Sequence, residues 1–272
     1  MESKVKAAFG EREKYLKEIL KERASYLLKR YARGGPPYDP HHIADGMGVE
    51  VRECDLNGID GFVEVVEGKY VASISKRINV ARQRLTLGHE LCHVLLMQRA
   101  DDGKPLPLVR YRTKGKLPAL HQDPQEEALC NHFAGELLMP SGEVSTRINN
   151  HPLTPRTVFK LANTYQVSTQ AAIVQLLKVV NRKKFGFVFW NLESLWPMPL
   201  WWYGLKTTQR SELQMLESIA GSSEDYLDLW ETFGGQRQRV KIRCSPTPER
   251  RFSMMVIKLC YDGVEDRASY KL

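Results

Sequence analysis

Arg82-Gln83-Arg84-Leu85-Thr86-Leu87-Gly88-His89-Glu90-Leu91-Cys92-His93-Val94-Leu95-Leu96 is the stretch on which the reading of this chain turns. It holds no proline and a single glycine, Gly88, and is rich in Leu, His and Glu, so residues 82–98 read as a helix. Within it His89-Glu90-Leu91-Cys92-His93 forms an HExxH pattern. Spacing of i, i+4 sets both imidazoles on one helix face, one turn apart, where both can reach a single Zn2+. Glu90 lies beside them, placed to act as general base towards the water such a metal holds. With 7 His in 272 residues and Glu at about 6%, only about 0.01 accidental matches are expected, so chance is a poor explanation. The apolar flank (Leu85, Leu87, Leu91, Val94, Leu95, Leu96) makes this helix central to a core.

A catalytic zinc needs a third protein ligand. The next helical stretch, residues 125–138, offers Glu126 and Glu127, then Asn131, His132 and Glu136. Glu127 and Asn131 share a face at i, i+4. A carboxylate from a second helix, with a polar residue one turn on to hydrogen-bond a ligand histidine, is similar to the arrangement in gluzincin metallopeptidases. Glu127 is therefore the expected third ligand and Asn131 its outer partner, with His121 and Asp123 on the preceding loop as rivals held less rigidly. Glu126 reads as an exposed charge, His132 as a histidine of another face. Cys92 and Cys130 read as buried, inert thiols.

Outward from this centre, residues 1–30 carry apolar residues near helical spacing, and Arg33-Gly34-Gly35-Pro36-Pro37 stops that helix. A short helix is expected over 39–47, opened by Asp39-Pro40. Short β-rich runs follow at 49–51, 61–66 and 69–74, separated by Asn57-Gly58 and Glu67-Gly68, which predicts a small antiparallel meander. Residues 103–124 form a loop with four prolines and five cations (Lys104, Arg110, Arg112, Lys114, Lys116). Two helical runs occupy 155–180, joined around Gln166-Val167-Ser168. Beyond Phe185 the expectation is strands at 240–242 and 253–259 around a helix over 211–233.

The 272 residues carry 40 Lys+Arg against 32 Asp+Glu, a net +8, with 42% hydrophobic and 26% charged residues. These fractions exclude wholesale disorder and collagen-like repeats. No run approaches the ~18 apolar residues of a membrane span, and residues 1–30 lack the apolar centre of a secretory signal. Five scattered cysteines suggest no disulfide framework, so a cytoplasmic location is expected. The basic excess sits largely in two segments, the 104–116 loop and residues 236–258, where seven cations face one acid.

The stretch 82–93, followed by Glu126-Glu127-Ala128-Leu129-Cys130-Asn131-His132-Phe133-Ala134 and closed by Glu136-Leu137-Leu138-Met139-Pro140, resembles the ImmA/IrrE family of zinc peptidases. Asp39-Pro40, Ile43-Ala44-Asp45, Gly48-Val49 and the 61–74 strands fit its N-terminal portion, so the likeness covers roughly residues 15–145. Gly88 stands where Ala is commoner in that family, and Cys92 where Gly or Ser is usual. The resemblance implies His89, His93 and Glu127 as metal ligands and Glu90 as the catalytic glutamate, with zinc as cofactor or Mn2+ in its place in cells. It implies an α+β fold: a zincin-like metallopeptidase domain of helices and a small antiparallel sheet over 1–150, a helix-turn-helix-like segment over 151–184, and an α+β GAF-like, sensor-type domain over 185–272, a layout similar to that of the family's radiation-response regulators. The implied activity is cleavage of a helix-turn-helix (XRE-type) transcriptional repressor, derepressing stress or DNA-damage genes. The rival readings are a DNA-binding transcription regulator and an antitoxin-type interaction protein, each with a non-proteolytic zinc fold.

Arg110, Arg112 and Lys114 are candidate substrate contacts on the basic loop. The second helix of the 155–180 pair is too apolar for a helix that reads DNA, with Lys178 its only charge, so DNA binding is not favoured. Arg237, Arg239, Lys241 and Arg243 alternate, which sets four cations on one strand face. The aromatic run at 196–203 reads as packing or as a ligand pocket.

Overall fold

The computed structural model describes residues 2–98, 124–149, 153–180, 185–191, 201–204, 226–233, 236–246 and 252–260. The chain forms two compact units, one of residues 1–140 with 164–168, the other of 141–163 with 169–272. The loop with its cations Lys104, Arg110, Arg112, Lys114 and Lys116, and the rival ligands His121 and Asp123, lie outside the described residues.

The first unit opens with α1 (Glu2–Tyr31). Its Leu16, Leu20, Ala24 and Leu27 are buried, a stripe at i, i+4, i+8 and i+11 that faces the core. The helix α2 (Pro40–Gly46) follows; Asp39 caps it by accepting a hydrogen bond from the His41 N–H at 3.0 Å. Then come β1 (Val49–Cys54), β2 (Gly61–Val66) and β3 (Lys69–Ser75). The turn between β2 and β3 puts Glu67 and Gly68 at positive φ, the conformation of a two-residue hairpin.

The expected meander is corrected here. The sheet order is β1-β3-β2, and β1 runs parallel to β3 while β2 runs antiparallel to it. The physical reason lies in β3: Val71, Ala72, Ser73, Ile74 and Ser75 are all buried, so this strand is covered on both faces and takes the centre. β2 alternates less apolar positions and becomes an edge, with Val65 58% exposed.

Asn79 caps α3 (Val80–Met97), its Oδ1 accepting from the Arg82 N–H at 2.9 Å. α4 (Pro124–Leu138) packs along it. Leu87, Leu91 and Val94 of α3 and Leu129, Phe133 and Leu137 of α4 belong to one buried cluster with the stripe of α1. Two glycines permit close approach: a Cβ on Gly88 would stand 3.3 Å from Ala134 Cβ, and one on Gly61 only 2.6 Å from Thr86 Cγ2. The sheet edge and α4 are thereby both drawn against the helix that carries the HExxH pattern.

The second unit contains α5 (Ser141–Ile148), α6 (Pro155–Tyr165, whose last two residues count with the first unit) and α7 (Thr169–Val179). The helix over 141–148 was not expected, because Met139-Pro140 reads as an end rather than an interruption. α7 buries Ala172, Ile173, Gln175, Leu176 and Leu177, as its apolar sequence requires. A five-stranded antiparallel sheet follows, of β4 (Phe185–Asn191), β5 (Trp201–Gly204), β6 (Tyr226–Phe233), β7 (Gln236–Pro246) and β8 (Phe252–Cys260) in the order β5-β4-β8-β7-β6. The strands expected at 240–242 and 253–259 are present within β7 and β8. The helix expected to reach residue 233 is not: 226–233 is β6, paired with β7 along its whole length. Leu227, Leu229 and Phe233 fall at even spacings that put them on one strand face. Trp201 to Tyr203 of the aromatic run lie on β5; residues 196–200 fall outside the described residues. Among the described residues no helix is long and apolar enough to cross a membrane.

Candidate metal centre

α3 and α4 approach with contacts that fall in α4 as they rise in α3. Gly88 meets Ala134, His89 meets Asn131, and His93 meets Glu126, which defines an antiparallel pair. Each helix brings polar groups one turn apart to this seam, His89 and His93 from one side and Glu127 and Asn131 from the other.

The Nε2 atoms of His89 and His93 are 3.1 Å apart. Glu127 spans both: Oε2 is 3.1 Å from Nε2 of His89 and Oε1 is 3.4 Å from Nε2 of His93. Donor atoms about 2.0–2.1 Å from a tetrahedral zinc stand roughly 3.3 Å from one another, so all three separations match what such an ion requires. The donor set, two imidazoles and a carboxylate, is also one that divalent zinc accepts.

The outer nitrogens have partners as well. Nδ1 of His89 lies 3.1 Å from Oδ1 of Asn131. Nδ1 of His93 lies 2.9 Å from Oε1 of Glu126 and 3.6 Å from Sγ of Cys130. The expectation that Glu126 is merely an exposed charge is therefore wrong. Its side chain is 32% exposed against 22% for Glu127, and it faces a histidine rather than solvent alone. The signal was available: Glu126 and Cys130 are i, i+4, so both meet whatever packs on that face.

Cys92 and Cys130 are fully buried, as expected of inert thiols. Cys130 nevertheless forms, with His89 and His93, a group whose donor atoms lie within 4.8 Å of one another. Two donor sets thus share the histidines. The thiol approaches His93 at Nδ1, whereas the two Nε2 atoms converge with Glu127 on the opposite side of the ring. A hydrogen bond with Cys92, then burial, pushes the Cys130 thiol up, towards the protonated form that binds metals poorly. His132 turns away, its Nε2 3.1 Å from the backbone carbonyl of Lys17.

Electrostatics separate the two histidines. Burial, then the neighbouring charge of His93, lowers the pKa of His89 against the pull of Glu127 and Asn131. Burial also disfavours charge on His93, but hydrogen bonds with Cys130 and Glu126, together with the charges of Cys130 and Glu90, prevail and raise it to about 10. Glu90, 7% exposed, contributes a buried negative charge one residue from His89.

A seam of this kind is a candidate metal centre, and comparison with known proteins bears on what it does. Residues 44–177 match the IrrE N-terminal-like domain, which supports the resemblance to the ImmA/IrrE family. It is 29% identical over 157 residues to the radiation response metalloprotease IrrE of Deinococcus deserti, a stretch covering 57% of this chain and 53% of that protein. Against the radiation response metalloprotease IrrE of Deinococcus radiodurans it is 27% identical over 157 residues, 57% of this chain and 45% of that protein. The match spans about half the length of these relatives. A Mycobacterium tuberculosis transcriptional regulator shares the fold, with a TM-score of 0.51 and 12% identity over 93% of this chain and 94% of that one. The family and the clustered donors together point to a metal cofactor.

Proposed function

We propose that this chain is a zinc-dependent endopeptidase, with His89, His93 and Glu127 as metal ligands and Glu90 as general base. The observation that carries the proposal is the convergence of both Nε2 atoms and the Glu127 carboxylate at 3.1–3.4 Å. Cys130 is passed over as a ligand because its sulfur meets the other nitrogen of His93. Bound by this set, zinc supplies Lewis acidity towards a peptide carbonyl and acidifies water; Mn2+ is the alternative ion in cells.

The chain's own residues do the rest. Asn131 holds His89 through Nδ1. Glu90 takes the proton of the attacking water on its carboxylate and returns it to the departing amide nitrogen. An extended substrate adds to the β2 edge, where backbone hydrogen bonds give affinity independent of side chains; β2 lies beside α3 at the Gly61–Thr86 contact. Arg110, Arg112 and Lys114 are assigned a substrate-contact role by their charge.

The family relation supports a protein substrate, and we place it among helix-turn-helix (XRE-type) transcriptional repressors whose loss derepresses stress or DNA-damage genes in the cytoplasm. In this reading 151–184 is a helix-turn-helix-like segment and 185–272 a GAF-like sensor region. Incubation with the repressor encoded nearest to this chain, with and without chelator, followed by mass spectrometry of fragments, tests the proposal. Chelator-sensitive cleavage that Glu90→Gln abolishes, with zinc retained, is the expected result; uncut repressor alongside salt-dependent DNA binding by the full chain supports the rival regulator reading instead.

A further inference from the structure

The geometry points to Glu126 as a positioning residue that holds His93 in the orientation and tautomer the metal needs. This rests on the reading that the Nε2 atoms and Glu127 bind zinc. A neutral imidazole has one N–H and one lone pair, and a hydrogen bond at one nitrogen decides which faces the metal. Oε1 of Glu126 lies 2.9 Å from Nδ1; an ionised carboxylate can only accept, so a ring that gives its Nε2 lone pair to the metal keeps its proton on Nδ1.

Adjacent carboxylates on α4 thus divide the work around a single ring. Consecutive helical positions diverge by about 100°, so Glu127 reaches Nε2 while Glu126 reaches Nδ1 of the same histidine. Cys130 approaches that nitrogen too, but at 3.6 Å and as a weak acceptor, so the carboxylate is the acceptor of the Nδ1–H hydrogen bond. Among the described residues, His89 has the neutral amide of Asn131 in the equivalent place, at 3.1 Å. A carboxylate acceptor makes a stronger bond than an amide and raises the basicity of the ligand nitrogen. The two histidine ligands are therefore unequal, and His93 is the more firmly oriented.

The test is zinc affinity by chelator competition, together with the visible absorption of the Co2+-substituted full-length protein. It compares Glu126→Ala, Glu126→Gln, Cys130→Ala and Glu127→Ala. Loss of an outer partner typically weakens metal binding about 10- to 100-fold. That loss is expected for Glu126→Ala, with a shifted cobalt spectrum. Glu126→Gln, which keeps an acceptor oxygen, recovers most of it, and Cys130→Ala stays near the unsubstituted protein. A general loss of packing does not yield rescue by Gln with an altered ligand field in Ala. Glu126→Ala with unchanged affinity and spectrum, while Glu127→Ala fails to bind, overturns the positioning role alone. Unchanged zinc binding by Glu127→Ala overturns the metal reading and the positioning role with it.

Discussion

Replacing Gly88 by Val tests whether the close approach of α3 and α4 builds the metal centre. Gly88 is the residue before His89, and its hypothetical Cβ lies 3.3 Å from Ala134 Cβ, 3.4 Å from Ala134 Cα and 3.8 Å from Leu137 Cδ2. Alanine needs a concession of a few tenths of an ångström, opposed by the roughly 1 kcal/mol of helix propensity it gains over glycine. Gly88→Ala is expected to be near neutral. Valine adds two methyl groups against a backbone that cannot rotate away, an overpacking that costs about 1–3 kcal/mol. At about 2–4 °C per kcal/mol for a unit of this size, the melting midpoint falls by roughly 2–12 °C. The helices can relieve the clash only by parting, yet the donors are contributed by both and meet at 3.1–3.4 Å. Productive sites hold such geometry within about 0.5 Å, so zinc affinity should fall at least about tenfold. Thermal unfolding of the zinc-free protein and chelator competition read the two effects separately. A Gly88→Val protein that melts and binds zinc like its parent refutes the reasoning.

Glu90→Gln should retain full zinc content while losing about 10²–10⁴-fold in cleavage, measured by metal analysis and peptide hydrolysis together. Phe133→Ala, which empties a fully buried site in the core cluster, is expected to cost about 3–5 kcal/mol in urea unfolding. Zinc at about 100 times its Kd should stabilise the protein by about 2.7 kcal/mol. That increment should vanish in His93→Ala, and its persistence in calorimetry would place the ion elsewhere.

The parts of the fold that were readable in advance share a physical property: their signals are local. The helix over 80–97 is legible because the residues around His89 and His93 follow one period and contain no proline and only one glycine. The cap at Asp39 and the stop at Gly34-Gly35-Pro36-Pro37 are single-residue chemistry. Strand order is not local. Nothing in 49–54 says whether it pairs with 61–66 or passes to the far side of 69–75; that choice depends on β3 needing cover on both faces, a property of the assembled core. The 226–233 segment failed differently, because Tyr226-Leu227-Asp228-Leu229-Trp230 supports a strand by alternation while its charges and leucines also suit a helix. The partner strand decided it.

The candidate site shows the same division at finer grain. His89 and His93 share a face by helical geometry alone, so the motif is visible without a structure. Which of two adjacent glutamates meets which nitrogen depends on the register of α4 against α3, and that register is set by apolar and small residues, Gly88 on Ala134 and the Leu87, Leu91, Leu129 and Phe133 packing. A shift by one residue along α4 would put Glu126 in the place of Glu127 and Gln125 in the place of Glu126, and would remove Asn131 from His89. The residues that choose the metal's ligands are therefore in part the ones that never touch it.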